Sequence, residues 1–291
     1  MGNRPQVTVL GSLNMDISVT VPRLPEPGAT VLGSAARFTP GGKGANQAVA
    51  AARLGAAVRL AGCVGDDDFG RQLLAALREE GVDAGGVRTV AGVPTGLAMI
   101  SVDQAGENLI TVAPGANHEV GPAEVGAVVF AAAAGRPGDV LVISAEIPLP
   151  AIFSALSRSV HCILNLAPAL PEAAAIVAAG ADWLVVNETE AAAVLGRPVS
   201  GLQDAGQAAT ALVAAGARHA VVTAGAHGAA LAGPGAAQTI AAFRVQAVDT
   251  VGAGDTFVGA LAVALAAGIP AAEAVRAASA AAATAATRPG A

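Results

Sequence analysis

Residues 249–257 (DTVGAGDTF) combine small residues with two carboxylates and precede an apolar run that predicts a buried helix. Gly252, Ala253 and Gly254 would leave backbone N–H groups uncovered at the first turn of that helix. Unpaired donors and the partial positive charge of a helix amino end attract anions. Asp255 would lie in the same turn, where its carboxylate faces whatever the donors hold.

This pairing of a phosphate cradle with a carboxylate is what phosphoryl transfer to an alcohol requires. The N–H groups offset the charge on the moving group, and the carboxylate accepts the hydroxyl proton. The alternative is an ordinary loop in which Asp255 only caps the helix. Gly-rich turns before helices are common, so other residues must decide between the two.

Two polar residues follow the first strand pattern of the chain. Residues 7–11 (VTVLG) are typical of a buried parallel strand, and Asn14 and Asp16 come directly after it. Residues two apart in extended chain point the same way, and ligands of open parallel sheets bind beyond the carboxyl ends of the strands. A turn that merely terminates the strand is the alternative.

Lys43 is the only lysine of the chain and stands in a glycine-rich segment, residues 41–46 (GGKGAN), before an alanine-rich helix pattern. The spacing of a Walker A loop is absent from the sequence. A glycine-rich approach and a compact ammonium suit close contact with a polyhydroxyl ligand or a phosphate. A solvent-exposed lysine in a turn is the alternative.

From residue 57 onward, strand patterns alternate with helix patterns. The strand patterns cover residues 58–64, 139–144, 161–166, 183–186 and 220–223. The helix patterns cover residues 69–80, 171–179 and 203–215, with further helices expected after Pro150 and after residues 187–190. This alternation predicts one α/β domain over residues 1–291, a three-layer α/β/α arrangement with a mostly parallel central sheet.

More polar positions fall at the ends of these strands. Glu146 follows one strand, Asn187 and Glu190 follow another, and residues 223–228 follow a third. Because the carboxyl ends of parallel strands meet at one edge, these groups should share a cleft with Asp255.

Two segments depart from the α/β alternation. Residues 17–38 contain three prolines and predict a pair of extended strands, and residues 95–112 predict a hairpin around a polar turn. Paired with each other, the two excursions would form a small sheet acting as a lid over the cleft.

Composition excludes several classes of function. The net charge is −6 and tyrosine is absent, so neither a basic nucleic-acid surface nor an aromatic single-strand platform is expected. Cys63 and Cys162 lack metal-ligand spacing and predict buried free thiols in a reducing compartment. Residues 256–272 form a long uncharged stretch, but Gly268 and a proline interrupt it, which favours a core helix over a membrane span. With no apolar segment following Met1, we expect a cytoplasmic protein.

Taken together, four motifs resemble those of the carbohydrate kinase family that includes the ribokinases. They are Asn14 with Asp16, GGKGAN at residues 41–46, NETE at residues 187–190 and DTVGAGD at residues 249–255. The likeness runs in order along essentially the whole chain. It resembles the ribokinase branch most strongly, through GGKGANQAVAA at residues 41–51 and FRVQAVDT at residues 243–250.

This resemblance implies a ribokinase-like fold and ATP-dependent phosphorylation of the 5-hydroxyl of D-ribose. It implies that Asp255 is the base and that Gly252, Ala253 and Gly254 form the anion hole for the transferring phosphoryl group. The sugar hydroxyls would be held by Asn14, Asp16, Gly42, Lys43, Asn46, Glu146 and Asp255.

The resemblance also assigns the nucleotide, the metal ions and the oligomer. ATP would lie against Asn187, Thr223, Gly225, Gly228, Gly254 and Ser279. Glu190 would lie near Mg²⁺ and its waters, and a potassium loop would comprise Asp249, Val251, Ala286 and Gly290. The lid of the family makes a dimer contact, which implies a homodimer through the lid strands, with no nucleic-acid or membrane partner.

Two differences from the family pattern accompany the likeness. Ser279 stands where the family often has a larger polar side chain beside the adenine, and family members continue past residues 288–291 with part of the monovalent-cation site. Two other functions stay open: a family kinase for another sugar (deoxyribose, fructose) or a nucleoside, and a non-catalytic sugar- or nucleotide-binding sensor.

Overall fold

The computed structural model describes residues 4–133, 138–158, 161–234, 237–288 and 290. Within these ranges, short runs rich in Val, Ile and Leu form strands that alternate with helices. The strands are β1 (Gln6–Leu10), β2 (Asn14–Thr20), β3 (Arg37–Gly41), β4 (Ala57–Gly65), β5 (Asp83–Val90), β6 (Gly96–Val102), β7 (Asn108–Ala113), β8 (Val140–Ser144), β9 (Cys162–Asn165), β10 (Trp183–Asn187), β11 (His219–Thr223), β12 (Gly228–Ala232) and β13 (Gln238–Ala241). The helices are α1 (Lys43–Arg53), α2 (Asp68–Glu79), α3 (Pro122–Ala133), α4 (Leu149–Leu156), α5 (Ala173–Ala178), α6 (Glu188–Leu195), α7 (Gly201–Ala214), α8 (Ala253–Ala266) and α9 (Ala271–Ala285).

The main sheet in the described part of the chain has nine strands, in the order β13-β12-β11-β10-β9-β8-β1-β4-β5. Neighbouring strands from β5 through to β11 pair in parallel, and β12 and β13 add antiparallel pairs at the edge. The chain builds outward from β1 through β4 to β5, then returns to the other side of β1 with β8. Strand order therefore reverses between β1 and β8, which is where open α/β sheets bind ligands.

Helices cover both faces of this sheet. In β1, Val9 packs in a buried cluster with Ala48 of α1 and Val258 of α8, whereas the next residue, Leu10, packs on the opposite side with Val125 of α3. This alternation continues through the neighbouring strands, so α1, α2, α8 and α9 lie on one face and α3 to α7 on the other. The predicted three-layer α/β/α fold with a mostly parallel sheet is confirmed.

A second sheet has four strands within the described residues, in the order β3-β2-β6-β7. The hairpin predicted at residues 95–112 is present as β6 and β7. The prediction of two strands within residues 17–38 was wrong for the second strand, because β3 begins only at Arg37. Residues 21–36 form no strand, consistent with three prolines that cannot donate to a ladder.

The sequence patterns also missed β5, the antiparallel pair β12 and β13, and α9. Strand β5 carries two glycines and is only partly buried, so its apolar alternation is weak. Helix α9 is mostly alanine, so its two faces differ little in hydrophobicity. No helix in the described ranges combines the length and hydrophobicity needed to cross a membrane. Cys63 and Cys162 are both buried free thiols, as predicted.

Helices α1 and α8 pack closely because Gly259 has no side chain. A Cβ built on Gly259 would lie 2.7 Å from the carbonyl oxygen of Gln47 and 2.8 Å from the Cβ of Ala50. Both distances are shorter than ordinary van der Waals contact, so any larger residue must push the helices apart. This contact sets the distance between the GGKGAN segment and the amino end of α8.

We therefore expect Gly259→Ala to destabilise the protein by about 1–2 kcal/mol, since overpacking outweighs the better helix propensity of alanine. Urea unfolding measures this difference. Gly126→Ala in α3 is the matched control, because a Cβ there meets no atom within 4 Å. That control should stabilise by about 0.5–1 kcal/mol. Equal effects of the two substitutions would contradict the close packing.

Candidate active site

Polar residues after β1 and β8 meet at the point where strand order reverses. The Ser12 hydroxyl donates a hydrogen bond of 2.5 Å to Oε2 of Glu146, and the backbone N–H of Lys43 lies 3.4 Å from the same oxygen. Three segments distant in the chain are thus joined through one carboxylate: the end of β1, the start of α1 and the end of β8.

Asp255 lies in the first turn of α8 and is only 8% exposed. Its two carboxylate oxygens each accept a hydrogen bond from α1. Nδ2 of Asn46 donates to Oδ2 at 3.0 Å, and Nε2 of Gln47 donates to Oδ1 at 2.9 Å. The predicted base is thus held against the glycine-rich segment.

Lys43 lies among four carboxylates. Burial alone would lower the pKa of its ammonium, but the coulombic effect of Asp255, Glu146, Glu190 and Asp16 outweighs burial, so the pKa of Lys43 is raised. The charge of the only lysine of the chain therefore interacts with every carboxylate that the sequence singled out for the sugar or the magnesium.

Asp16 lies at the small sheet, in β2, with Gly41 of β3 packed against its carboxylate. Burial raises the pKa of Asp16 to about 7, and repulsion from Glu146 and Asp255 adds to this, while Lys43 opposes it. Below about pH 7 the neutral form of Asp16 is therefore favoured in the folded protein.

This shift predicts a pH dependence of stability. A carboxyl whose pKa rises on folding stabilises the protein fully below its ordinary value of 3.8, and this stabilisation is lost as the pH rises to about 7. In Asp16→Asn the group is neutral at every pH. We expect urea unfolding to show the variant gaining stability relative to the wild type across that interval. A difference independent of pH would contradict the shift.

Asn14 is 2% exposed, and a hydrogen bond from Asn117 fixes the orientation of its side chain. Its Oδ1 accepts a hydrogen bond of 2.7 Å from Nδ2 of Asn117, whose own amide is held by the backbone N–H and carbonyl of Leu13. Asn117 lies in a 3₁₀ turn, Gly115–Glu119, just after β7. The NH₂ group of Asn14 is thus left as the end that can donate to a ligand.

Helix α8 begins with free donors. Gly252 precedes it in the left-handed region (φ 74°), and no side chain caps the helix. The N–H of Ala253 bonds to the carbonyl of Thr250 at 3.2 Å, whereas those of Gly252, Gly254 and Asp255 have no hydrogen-bond partner in the described part of the chain. A Cβ on Gly254 would meet no atom within 4 Å, so the space beside these donors is open. This end of the helix can accept an anion.

Adjacent strands β10 and β11 end side by side, at Asn187 and Thr223. Asn187 caps α6 by accepting from the N–H of Glu190 at 2.8 Å, and Oε2 of Glu190 accepts from the N–H of Asn187 at 2.8 Å. Burial raises the pKa of Glu190, partly opposed by that hydrogen bond and by Lys43. The segment after Thr223 turns sharply in a 3₁₀ helix, Gly225–His227, before β12 begins at Gly228.

Asp249 ties the loop before α8 to the end of the chain. Its Oδ1 accepts from the N–H of Val251 at 2.9 Å and its Oδ2 from the N–H of Gly290 at 3.0 Å. The carbonyl of Ala286 accepts from the N–H groups of Val248 and Asp249 at 2.8 and 3.2 Å. The four residues of the expected potassium loop are therefore neighbours, although two N–H groups already occupy the Ala286 oxygen.

A cavity of about 1200 Å³ lies between the small sheet, α1 and the loop before α8. Its lining includes Asp16, Thr39, Asn46, Gly252 and Arg288. Two of the predicted sugar residues, Asp16 and Asn46, and one residue of the predicted anion hole, Gly252, thus open into one space.

Comparison with known proteins identifies the family. The model of the "pfkB family carbohydrate kinase" matches residues 4–291. This chain belongs to the pfkB family of carbohydrate kinases. The resemblance drawn from the four motifs is therefore confirmed.

Individual pfkB-family relatives carry sugar kinase names. A ribokinase from Haemophilus influenzae is 38% identical, over 99% of this chain and 94% of the relative. A deoxyribokinase from Salmonella typhi is 33% identical over 87% and 83%. The structure of Arabidopsis thaliana ribokinase "complexed with Ribose and ATP" superposes with a TM-score of 0.85 at 31% identity, covering 99% of this chain and 95% of that one.

Several polar residues of this pfkB-family site were missed from the sequence. Gln47 donates hydrogen bonds to Asp255 and to Asn165, Asn117 donates to Asn14, and Ser12 donates to Glu146. Asn165 is the last residue of β9 and Ser12 comes two residues after β1, so their positions at strand ends were an available signal. Asn117 lies outside the main sheet and Gln47 inside a helix, where no local pattern marks them.

Ser279 is the predicted site residue that the structure connects least to the others. Its hydroxyl donates to the carbonyl of Val275 one turn earlier in α9, at 2.9 Å. Helix α9 packs against α8, β12 and β13.

Proposed function

We propose that this protein is an ATP-dependent kinase that phosphorylates the 5-hydroxyl of D-ribose, giving ribose 5-phosphate and ADP. One observation carries the proposal: Asp255 lies in the same turn as the N–H groups of Gly252 and Gly254, which have no partner among the described residues, and its charge interacts with that of Lys43. A base, an anion hole and a polar sugar pocket together serve phosphoryl transfer to an alcohol. The ribokinase relatives support ribose as the alcohol.

On the sugar side, Asn14, Asp16, Lys43, Asn46 and Glu146 hold the hydroxyl groups. Such a set fixes the ring and removes the translational freedom of the acceptor before reaction. Gly42 has no side chain, so the sugar can approach its backbone closely. Its φ of 92° favours glycine, and a Cβ would collide with the backbone of Leu13 and Asn14.

At the reacting end, Asp255 accepts the proton of the 5-hydroxyl, and the oxygen attacks the terminal phosphoryl group of ATP in line. The N–H groups of Gly252, Gly254 and Asp255 offset the charge that spreads over the phosphoryl oxygens. Closure of the small sheet over the cavity excludes water, which would otherwise accept the phosphoryl group. This is the lid role we assign to β2, β3, β6 and β7.

The nucleotide lies along the ends of β10 and β11, against Asn187, Thr223, Gly225, Gly228 and Ser279. Mg²⁺ favours carboxylate, phosphate and water oxygens, and keeps several of its waters. Glu190 fits such a role, because its Oε1 makes no hydrogen bond in the described part of the chain and can face a magnesium-bound water. Magnesium would supply charge neutralisation at the phosphates.

We also propose a potassium site beside Asp249, with Val251 and Gly290 as neighbours. The carboxylate of Asp249 is an oxygen donor held in place by two N–H groups. Ala286 fits less well as a direct ligand, since its carbonyl already accepts two hydrogen bonds. A cation there would order the loop that leads into the anion hole.

The small sheet supports a homodimer. On β7, Leu109 and Ile110 are 50% and 49% exposed, and Met99 on β6 is also exposed. Such apolar patches on a soluble domain mark association sites. Sedimentation should give a dimer for the wild type and a monomer for the double variant Leu109→Asp, Ile110→Asp.

The free buried cysteines support a reducing, cytoplasmic location.

A coupled assay of ADP release tests the function. ATP and Mg²⁺ are supplied with D-ribose, deoxyribose, fructose or a nucleoside, with and without K⁺. We expect the highest kcat/KM with D-ribose. The deoxyribokinase relative makes deoxyribose the second candidate, and a preference for it would reassign the substrate. Absence of ADP release with every acceptor would indicate a binding sensor instead.

A further inference from the structure

Gln47 is fully buried in α1, yet its side chain is polar and lies next to the reacting carboxylate. Its Nε2 donates two hydrogen bonds, one to Oδ1 of Asp255 and one to Oδ1 of Asn165, both at 2.9 Å. An amide nitrogen has two hydrogens, so both are used.

Asn165 in turn is fixed by the main sheet. It ends β9, and its Nδ2 donates to the backbone carbonyl of Val185 in the neighbouring strand at 3.2 Å. A carbonyl can only accept, which sets the NH₂ end of Asn165 toward Val185 and its oxygen toward Gln47. The carbonyl of Val185 in β10 therefore fixes which group donates and which accepts in the hydrogen bonds that link Asn165, Gln47 and Asp255.

The remaining atom of the Gln47 amide shows how strongly this orientation is imposed. Its Oε1 is buried and has no hydrogen-bond partner in the described part of the chain. A flipped amide would turn this acceptor toward two other acceptors, the oxygens of Asp255 and Asn165. The protein leaves one acceptor unpaired in order to present a donor to Asp255.

We propose that Gln47 and Asn165 are positioning residues for Asp255: they anchor the carboxylate to the sheet through Oδ1, so that Oδ2, shared with Asn46, faces the acceptor hydroxyl. The inference rests on the proposed function, in which Asp255 is the base. A base that is hydrogen-bonded through both carboxylate oxygens loses no rotational freedom when the sugar binds. This pre-orientation is how the anchoring contributes to the rate.

The first test is Gln47→Glu, which keeps the shape of the side chain but replaces the donor by a second carboxylate. Two carboxyl groups at this distance share a proton. We expect the acid limb of the kcat–pH profile with D-ribose to move upward by roughly one pH unit or more, with the KM for sugar little changed. A role in packing alone would not move the limb. Gln207→Glu on the exposed face of α7 makes the same chemical change and should leave the profile unaltered.

The second test does not require a buried charge. Asn165→Leu and Gln47→Met each remove one link, and each should lower kcat roughly tenfold. Because Asn165 acts through Gln47, Asn165→Leu should have little further effect in the Gln47→Met background. Coupled effects of this kind are measured by a double-mutant cycle, with urea unfolding as the check on folding.

The outcomes separate the two proposals. A wild-type protein without ADP release under any condition overturns the proposed function itself. An active wild type whose pH profile coincides with that of Gln47→Glu, or a cycle in which the two losses in kcat simply multiply, overturns the positioning role and leaves the kinase function standing.

Discussion

Asp255→Asn is expected to lower kcat for D-ribose by about 10²–10⁴-fold while the KM for sugar stays close to that of the wild type. The substitution removes the proton acceptor but keeps the size of the side chain. An amide at this position can still accept from Gln47 through its oxygen. The sugar pocket formed by Asn14, Asp16 and Lys43 is untouched.

Steady-state ADP release gives kcat, and calorimetric titration of ribose gives sugar affinity in the same preparation. Asp68→Asn is the matched control, since this carboxylate lies in the first turn of α2 and pairs with Arg71 at the surface. It should behave as the wild type does. Turnover of Asp255→Asn at the parent rate would show that another group accepts the proton.

Lys43→Met is expected to raise the KM for D-ribose by about 10–100-fold and the KM for ATP by less than about threefold. The glycine-rich segment carries one positive side chain, Lys43, and its ammonium interacts with the charges of Asp16, Glu146 and Asp255. Without it, the sugar hydroxyls face carboxylates alone and lose a charged donor. Methionine keeps the length of the side chain, so the effect reports charge rather than a cavity.

Comparing the change in the KM for ATP with the change in the KM for D-ribose decides whether Lys43 binds the nucleotide or the sugar. Arg59→Met is the control for loss of one positive charge, because Arg59 pairs with Asp83 at the surface, away from the site. It should leave both KM values unchanged. A larger rise in the KM for ATP than for sugar would move Lys43 to the nucleotide side and leave the sugar pocket to Asn14, Asp16 and Glu146.

The sequence by itself determined the fold class and the family. Periodicity of apolar residues is a local property, so the alternation of strands and helices and the helix that follows Gly252 can be predicted from short windows. The residues after strand ends, among them Asp16, Glu146 and Asn187, were expected at one edge for the same reason. The topology of a parallel sheet places every carboxyl end together.

Weak local patterns account for the errors. Strand β5 and helix α9 carry little contrast between buried and exposed positions, and the proline-rich residues 21–36 separate β2 from β3 farther than the apolar pattern suggests. In each case pairing partners elsewhere in the chain, not the segment itself, fix the structure.

Only the tertiary structure decided how the site is held. Gln47 reaches Asp255 across 208 positions of sequence, and Asn117 reaches Asn14 across 103. Neither contact has a local signature, because each depends on how closely α1 approaches α8 at Gly259 or on where the small sheet rejoins the main one. Spacing along the chain thus supplies the reacting groups, whereas the packing of helices against the sheet fixes their orientation.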